Sequence, residues 1–302
     1  MANAASLGFS VISGGPGTGK TTTVTKLLAL LVAQAMNEGQ SLKIALAAPT
    51  GKAAARLTES ITRAKESLPL SAEITAAIPD QASTLHRLLG SDFGRSRFKH
   101  NEQNPLHLDI LLVDEVSMVD LPMMAKLIEA LPKHCRLILL GDKDQLASVE
   151  AGSILGDMTH GIENAYFQPD WADYLAQVSQ QPLQAFGNPQ APKISRALTL
   201  LRTSYRFSKD SGIGRLANAV NMGDKQAVMS CLKAGLGDVQ WRLSQSKPIQ
   251  SDMAELANGY DDYWQGVRDN ADIALLFEKF SAFQILTAVR QGGWGVEHTN
   301  RQ

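Results

Sequence analysis

Residues 14–21 read Gly-Gly-Pro-Gly-Thr-Gly-Lys-Thr, a turn whose composition suits the binding of phosphate. Gly15, Gly17 and Gly19 lack the side chains that would keep successive amides from facing one anion, and Pro16 and Thr18 space them. The apolar run FSVIS precedes the turn and the helix-compatible TTTVTKLLALL follows it, so a helix N-terminus would add its positive end at the same point. Lys20 would neutralise the outer phosphates of a nucleoside triphosphate, Thr21 would ligate magnesium, and Thr22 would extend the contact into the first helical turn.

A second constellation, LLVDEVSMVD at residues 111–120, brings Asp114 and Glu115 to the end of an apolar strand. Adjacent carboxylates there can divide two tasks. Asp114 can hold magnesium through water while Glu115 orients and deprotonates an attacking water. An acidic cap on the following helix is the plainer alternative. After a third apolar run, RLILLG, comes DKDQLASVEAG, where Gln145 is placed either as a sensor of the terminal phosphate or as part of a polar loop.

Elements that could position these groups are visible in the pattern. Short apolar runs, FSVIS, KIALAA, DILLVD and RLILLG, alternate with helical stretches, which predicts an α/β fold with a parallel sheet and crossover helices. Each run ends in a Gly, Asp or Pro-Thr signal, so the polar residues collect where ligands bind in open sheets. Between residues 156 and 192 the pattern dissolves, and helical periodicity returns at ISRALTLL, which places a domain boundary near Ser195. Residues 252–279 read as a helical or connecting segment rich in acids, and FQILTAV at 283–289 as a new strand.

Composition narrows the class. The 302 residues are 44% hydrophobic and 20% charged, enough for a substantial core. Cys135 and Cys231 suit a reducing cytosol better than a disulfide framework or a metal knuckle. LLALLVAQAM, residues 27–36, is too short to span a bilayer, so neither membrane nor export signal is read and the expected location is cytoplasmic. A net charge of -1 gives no global sign of a nucleic-acid partner, so such a surface must be local.

The succession GGPGTGKT, APTGKAAARL, STLHRLLG, LLVDEVSMVD, LILLGDKDQLASVEAG and LLRTSYRF resembles the motif order of superfamily 1 helicases, in their RecD-like branch, and in wording the alpha chains of exonuclease V. The resemblance implies a P-loop NTPase with a RecA-like parallel sheet flanked by helices over residues 1–195, a small inserted hairpin at 91–108, and an incomplete second RecA-like domain over 196–302. It implies ATP and magnesium as cofactors, single-stranded DNA and the exonuclease V beta and gamma chains as partners, and 5′ to 3′ movement in double-strand break repair.

By the same resemblance Pro49, Thr50, Gly51 and Lys52 grip the single-strand backbone, with Thr84 and His86 in a second contact. Capping by Thr50 is compatible with that grip, and His86 is equally readable as a structural histidine. Tyr205 matches an aromatic near the adenine, and Arg206 an arginine reaching across from the second domain, with a structural helix-end arginine as the alternative. The 91–108 insertion, with Phe93, Arg95, Arg97, Phe98 and Lys99, is either a strand-splitting pin or a surface hairpin. A glutamine-bearing adenine motif before the first strand and the last helicase motifs are not found, so the expectation is a truncated product that binds nucleotide without unwinding DNA alone. An RNA-directed helicase and a non-hydrolysing structural subunit are the competing functions.

Overall fold

The computed structural model describes residues 1–91, 97–145, 154–160, 162, 166–207, 211–242 and 250–301. Residues 1–224 form one compact unit and 225–302 a second.

In the first unit, β1 (Phe9–Gly14), β2 (Ile44–Ala48), β3 (Ala82–Thr84), β4 (Ile110–Val113), β5 (Arg136–Gly141) and β6 (Leu198–Leu201) make one sheet in the order β3-β2-β4-β5-β1-β6. Every neighbouring pair is parallel. Nine helices are described around it: α1 (Ala2–Ala5), α2 (Lys20–Asn37), α3 (Gly51–Ser67), α4 (Ala72–Ala77), α5 (Leu85–Leu89), α6 (Leu121–Glu129), α7 (Ile154–Thr159), α8 (Pro169–Ser179) and α9 (Gly212–Asn221).

The central strands are largely apolar because both faces of the sheet are covered. In β4, Ile110 and Leu112 turn toward α2 and α3, against Leu27, Leu28, Leu57 and Ile61. Leu111 and Val113 turn the other way, against Leu85, Met124 and Leu127 of α5 and α6. The two-residue period of a strand thus feeds two cores from one run. Each fully buried aliphatic side chain contributes about 1.5–3 kcal/mol.

Two expectations are corrected here. ISRALTLL is not helical: Lys193–Ala197 make a 3-10 turn, and Leu198–Leu201 become β6, paired with β1 from Val11↔Leu198 to Gly14↔Leu201. This pairing carries the first unit past the boundary expected near Ser195, to Asp224. A short strand beside an uncovered sheet edge gains ladder hydrogen bonds that outweigh weak local periodicity.

The N-terminal segment closes this edge. Asn3, on α1, donates from Nδ2 to the Leu198 carbonyl (3.0 Å) and the Thr199 hydroxyl (3.2 Å), and its Oδ1 accepts from Trp171 Nε1 (2.9 Å). Arg136 donates to the carbonyls of Ala4 (3.1 Å), Ala5 (2.8 Å) and Leu7 at the end of α1. A guanidinium there satisfies helix-end carbonyls that have no partner of their own.

The second unit is helical among the described residues, with α10 (Lys225–Lys233), α11 (Gln250–Asn258), α12 (Asp261–Arg268), α13 (Ile273–Ala282) and α14 (Val296–Thr299). Tyr260 and Tyr263 pack on Phe280 at ring separations of 5.6 and 5.3 Å, and Tyr260 meets Phe283 edge-on at 5.2 Å. The strand expected at 283–289 has no ladder partner among the described residues, and Leu286 is 89% exposed. An apolar run becomes a strand only where another strand meets it. Among the described residues no helix is long and apolar enough to cross a membrane.

Asn3→Ala should cost about 2 kcal/mol, because it strands the Trp171 N–H and the Leu198 carbonyl together. The unfolding midpoint, followed by circular dichroism, should fall by about 4–8 °C. A midpoint unchanged within about 1 °C would mean that α1 does not secure the edge.

Candidate active site

Six strands running the same way bring six carboxyl ends to one edge, and the candidate residues are distributed over those ends. After β1, the turn reaches α2 with Gly17 at φ 74° and Gly19 at φ 79°, conformations that residues with a Cβ adopt only with strain. The amides of Gly17, Gly19, Lys20, Thr21 and Thr22 find no backbone acceptor among the described residues. They make a ring of donors at a helix N-terminus, as an anion requires. A Cβ on Gly19 would enter open space, so the hollow of the turn is available to a ligand. Thr18 braces the turn by donating to the Gly15 carbonyl at 2.8 Å. Lys20 Nζ lies over the turn, donating to the carbonyls of Gly14 (2.5 Å) and Gly15 (3.3 Å).

β4 and β1 both neighbour β5, so Asp114 emerges about 10 Å across the edge from the turn. Burial pushes the Asp114 carboxyl up to about 6, opposed by the Glu115 amide and by the nearby Lys20 ammonium. The Lys20 ammonium is therefore close enough to act on the Asp114 charge. Asp114 Oδ1 accepts from the Glu115 N–H at 2.8 Å, and Glu115 takes φ 53°, ψ 43°, an uncommon conformation for a residue with a side chain. The acids are thereby presented in different directions from one strand end. Thr21 and Asp114 are hard oxygen donors that fit magnesium. No group of three or more His, Cys, Asp or Glu side chains placed to hold a metal ion occurs among the described residues.

After β5, Gln145 is held by Ser117, whose buried hydroxyl donates to Oε1 at 2.6 Å. That bond leaves the Gln145 Nε2 donors to face outward. Leu146 to Gly152 of the same motif lie outside the described residues. After β6, Ser204 donates to the Pro16 carbonyl (3.0 Å) and the Tyr205 amide to the Gly17 carbonyl (2.8 Å). Arg206 backs Gly17 so closely that a Cβ there would collide with it. Arg206 was expected to reach in from the second domain; it stands instead on the first unit, because β6 joins the first sheet. Tyr205, 84% exposed, lines a cleft of about 940 Å³ with Gly17, Thr18, Gly19, Thr22 and Lys26.

The remaining candidates gather at the β2–β3 side. The register Ala48↔Thr84 sets Pro49, Thr50, Gly51 and Lys52 beside Thr84 and His86. Thr50 caps α3 by accepting from Ala53 (3.2 Å), and Thr84 caps α5 by accepting from Arg87 (3.2 Å). Thr50, Gly51, Lys52, His86 and Arg87 are exposed, so His86 is not the partly buried residue of the alternative reading. In the insertion, Ser91 and Phe98 form an antiparallel bridge, while Phe93 and Arg95 lie outside the described residues. Phe98 is packed inward, 5.8 Å from the His86 ring and 5.3 Å from the Lys126 ammonium.

Sequence reasoning missed Ser117 and Ser204. Ser117 carried a faint signal, a small hydroxyl residue inside the apolar VSMV run. Ser204 carried none, since its partner lies 188 residues away.

Asp114→Asn keeps the oxygen that accepts from Glu115 and removes the charge. Because the folded carboxyl is raised from 3.8 to about 6, its stabilising share is complete below pH 3.8 and lost as pH rises through 6. In metal-free buffer the variant should therefore unfold about 6–12 °C above the parent at pH 8, with the gap closing toward pH 4. A gap independent of pH in thermal melts would contradict burial as the cause.

A family model described as an AAA domain matches residues 1–151. The chain is 39% identical over 321 residues to the RecBCD enzyme subunit RecD of Haemophilus influenzae, covering 97% of this chain and 48% of the relative. It is 40% identical over 301 residues to the subunit of that name from Mycolicibacterium smegmatis, covering 99% and 48%. The ATP-dependent RecD2 DNA helicase of Deinococcus radiodurans is 44% identical over 142 residues, 47% of this chain and 16% of that one. The solved Pif1 helicase from Candida albicans aligns over 82% of this chain and 50% of its own, at 16% identity and a TM-score of 0.43. The chain thus spans about half the length of the RecD subunits it matches. A P-loop sheet of this strand order, with RecD subunits similar to it from end to end, makes the chain a member of the RecD-like branch of superfamily 1.

Proposed function

We propose that the chain is the ATP-hydrolysing motor core of a DNA helicase of exonuclease V type, moving 5′ to 3′ on single-stranded DNA during double-strand break repair. The observation that carries it is the placement of the glycine turn with Lys20, the Asp114–Glu115 pair and the Ser117-held Gln145 after the carboxyl ends of the neighbouring parallel strands β1, β4 and β5. The relatives' names, RecBCD enzyme subunit RecD and ATP-dependent RecD2 DNA helicase, support the substrate and the assembly. In that assembly the beta and gamma chains are its partners.

In this reading the glycine-turn amides and Lys20 hold the triphosphate, and Thr21 and Asp114 would hold magnesium, which supplies charge neutralisation at the phosphate oxygens. Glu115 orients the attacking water and accepts its proton. Gln145, oriented by Ser117, donates its amide hydrogens toward the terminal phosphate, and Arg206 adds positive charge from beside Gly17. Lys52, the Thr50–Gly51 turn and His86 follow the DNA backbone, giving grip without base readout. Two strand ends therefore face DNA and four face nucleotide, on one rigid sheet.

Glu115→Gln should retain ATP binding and lower the DNA-stimulated hydrolysis rate by about 10²–10⁴. Lys52→Ala should weaken single-stranded DNA binding uniformly across sequences and lower its salt dependence by about one counterion. Steady-state hydrolysis and fluorescence anisotropy across salt concentrations read both; full activity in Glu115→Gln would remove the catalytic assignment.

A further inference from the structure

Charge is divided unevenly along the second unit. Residues 225–247 carry Lys225, Lys233, Arg242 and Lys247 against Asp238 alone, whereas residues 252–278 carry seven carboxylates against Arg268. A net charge of -1 for the whole chain conceals this separation. At its basic end the unit presents a shallow concavity of about 530 Å³, lined by Lys233, Gly235, Gly237, Trp241 and Arg242 with their apolar neighbours. None of its lining residues is acidic, and all of them fall within residues 232–242, so the surface is complete within this unit.

The groups here suit a flexible polyanion that carries exposed rings. Trp241 is 41% exposed, so its indole keeps a flat apolar face in water. α10 is followed by Gly235 at φ 62°, and a Cβ on Gly235 or Gly237 would enter open space, so the backbone of this turn can be approached closely. Lys233, in the last turn of α10, has no partner among the described residues. Arg242 donates to Glu255 and, at 3.5 Å, to Gln240, and both members of its ion pair are more than half exposed. A pair so exposed contributes little stability, so the guanidinium can exchange Glu255 for a phosphate oxygen at small cost. In a duplex the bases are already stacked and paired, whereas a single strand can offer a ring to the indole and its phosphates to the cations.

We propose that Lys233, Trp241 and Arg242 form a further contact for single-stranded nucleic acid, in which one base stacks on the Trp241 indole and the two cations hold neighbouring phosphates. The proposal rests on the proposed action on single-stranded DNA and adds to it a site on the second unit, made of residues other than Thr50, Gly51, Lys52 and His86. The carboxylates of residues 252–278 repel a polyanion and confine the contact to the basic end of the unit.

The test measures binding of fluorescein-labelled oligothymidylate to the 302-residue chain by anisotropy, across salt concentrations. Trp241→Ala should bind about tenfold more weakly, while Trp241→Phe, which keeps a stacking ring, should stay within about threefold of the parent. Lys233→Gln should lower the salt slope by about 0.7. Irradiation of the parent with an iodouracil-substituted strand should place a crosslink on Trp241, located by mass spectrometry. Parent-like binding by Trp241→Ala, an equal loss in Trp241→Phe, or crosslinks confined to the first unit would each overturn this site. If Lys52→Ala still weakens binding in that event, the DNA reading of the first unit stands. Failure of the parent to bind the strand at all would sink both.

Discussion

A parallel sheet covered on both faces has room for polar chemistry only along its edges. Ile110, Leu111, Leu112 and Val113 are all buried, and the first polar atoms that β4 offers are those of Asp114. The same holds for β5, which is buried from Leu137 through Gly141 and turns polar at Asp142. Strand direction then decides which edge receives the loops that precede helices, and with it the orientation of the α2 N-terminus. The residues proposed to contact nucleotide and DNA fall on one side of the first unit for this reason, without any contact between them being required.

What could be read from the sequence follows from the range of the interactions. The glycine turn and the Asp114–Glu115 pair are local patterns, complete within ten residues, and their flanking strand and helix are equally local. β6 was misread because ISRALTLL has apolar residues at spacings that also fit a helix, and only the edge of β1, nearly two hundred residues earlier, makes four of them a strand. FQILTAV failed in the opposite sense: good strand composition, with no ladder partner among the described residues. The resemblance put Arg206 on the second domain, whereas the pairing of β6 with β1 keeps the loop that carries it on the first unit.

The loop after β6 ties the far end of the first unit to the phosphate turn. Ser204 and Tyr205 hold the carbonyls of Pro16 and Gly17, and Arg206 occupies the space that Gly17 leaves. The engaged Pro16 carbonyl cannot rotate toward an anion, so the Gly17 amide on the opposite side of that peptide is kept facing away from the supporting loop, while the Thr18 amide turns back to the Gly15 carbonyl. The Gly17 position thus serves two surfaces at once, a ligand in front and a supporting loop behind. Ser117 does the corresponding service for Gln145, with a single hydroxyl setting which end of the amide is presented.

Glu115 occupies a region of backbone space where a residue without a side chain would rest more easily. Such a conformation costs on the order of 1–3 kcal/mol and survives because the neighbouring aspartate grips the peptide nitrogen. The acid pair is consequently one mechanical object. A glycine in the second place would relax the chain but remove the carboxylate, so under the proposed hydrolysis the turn persists as a local discomfort that thermodynamics alone would not retain.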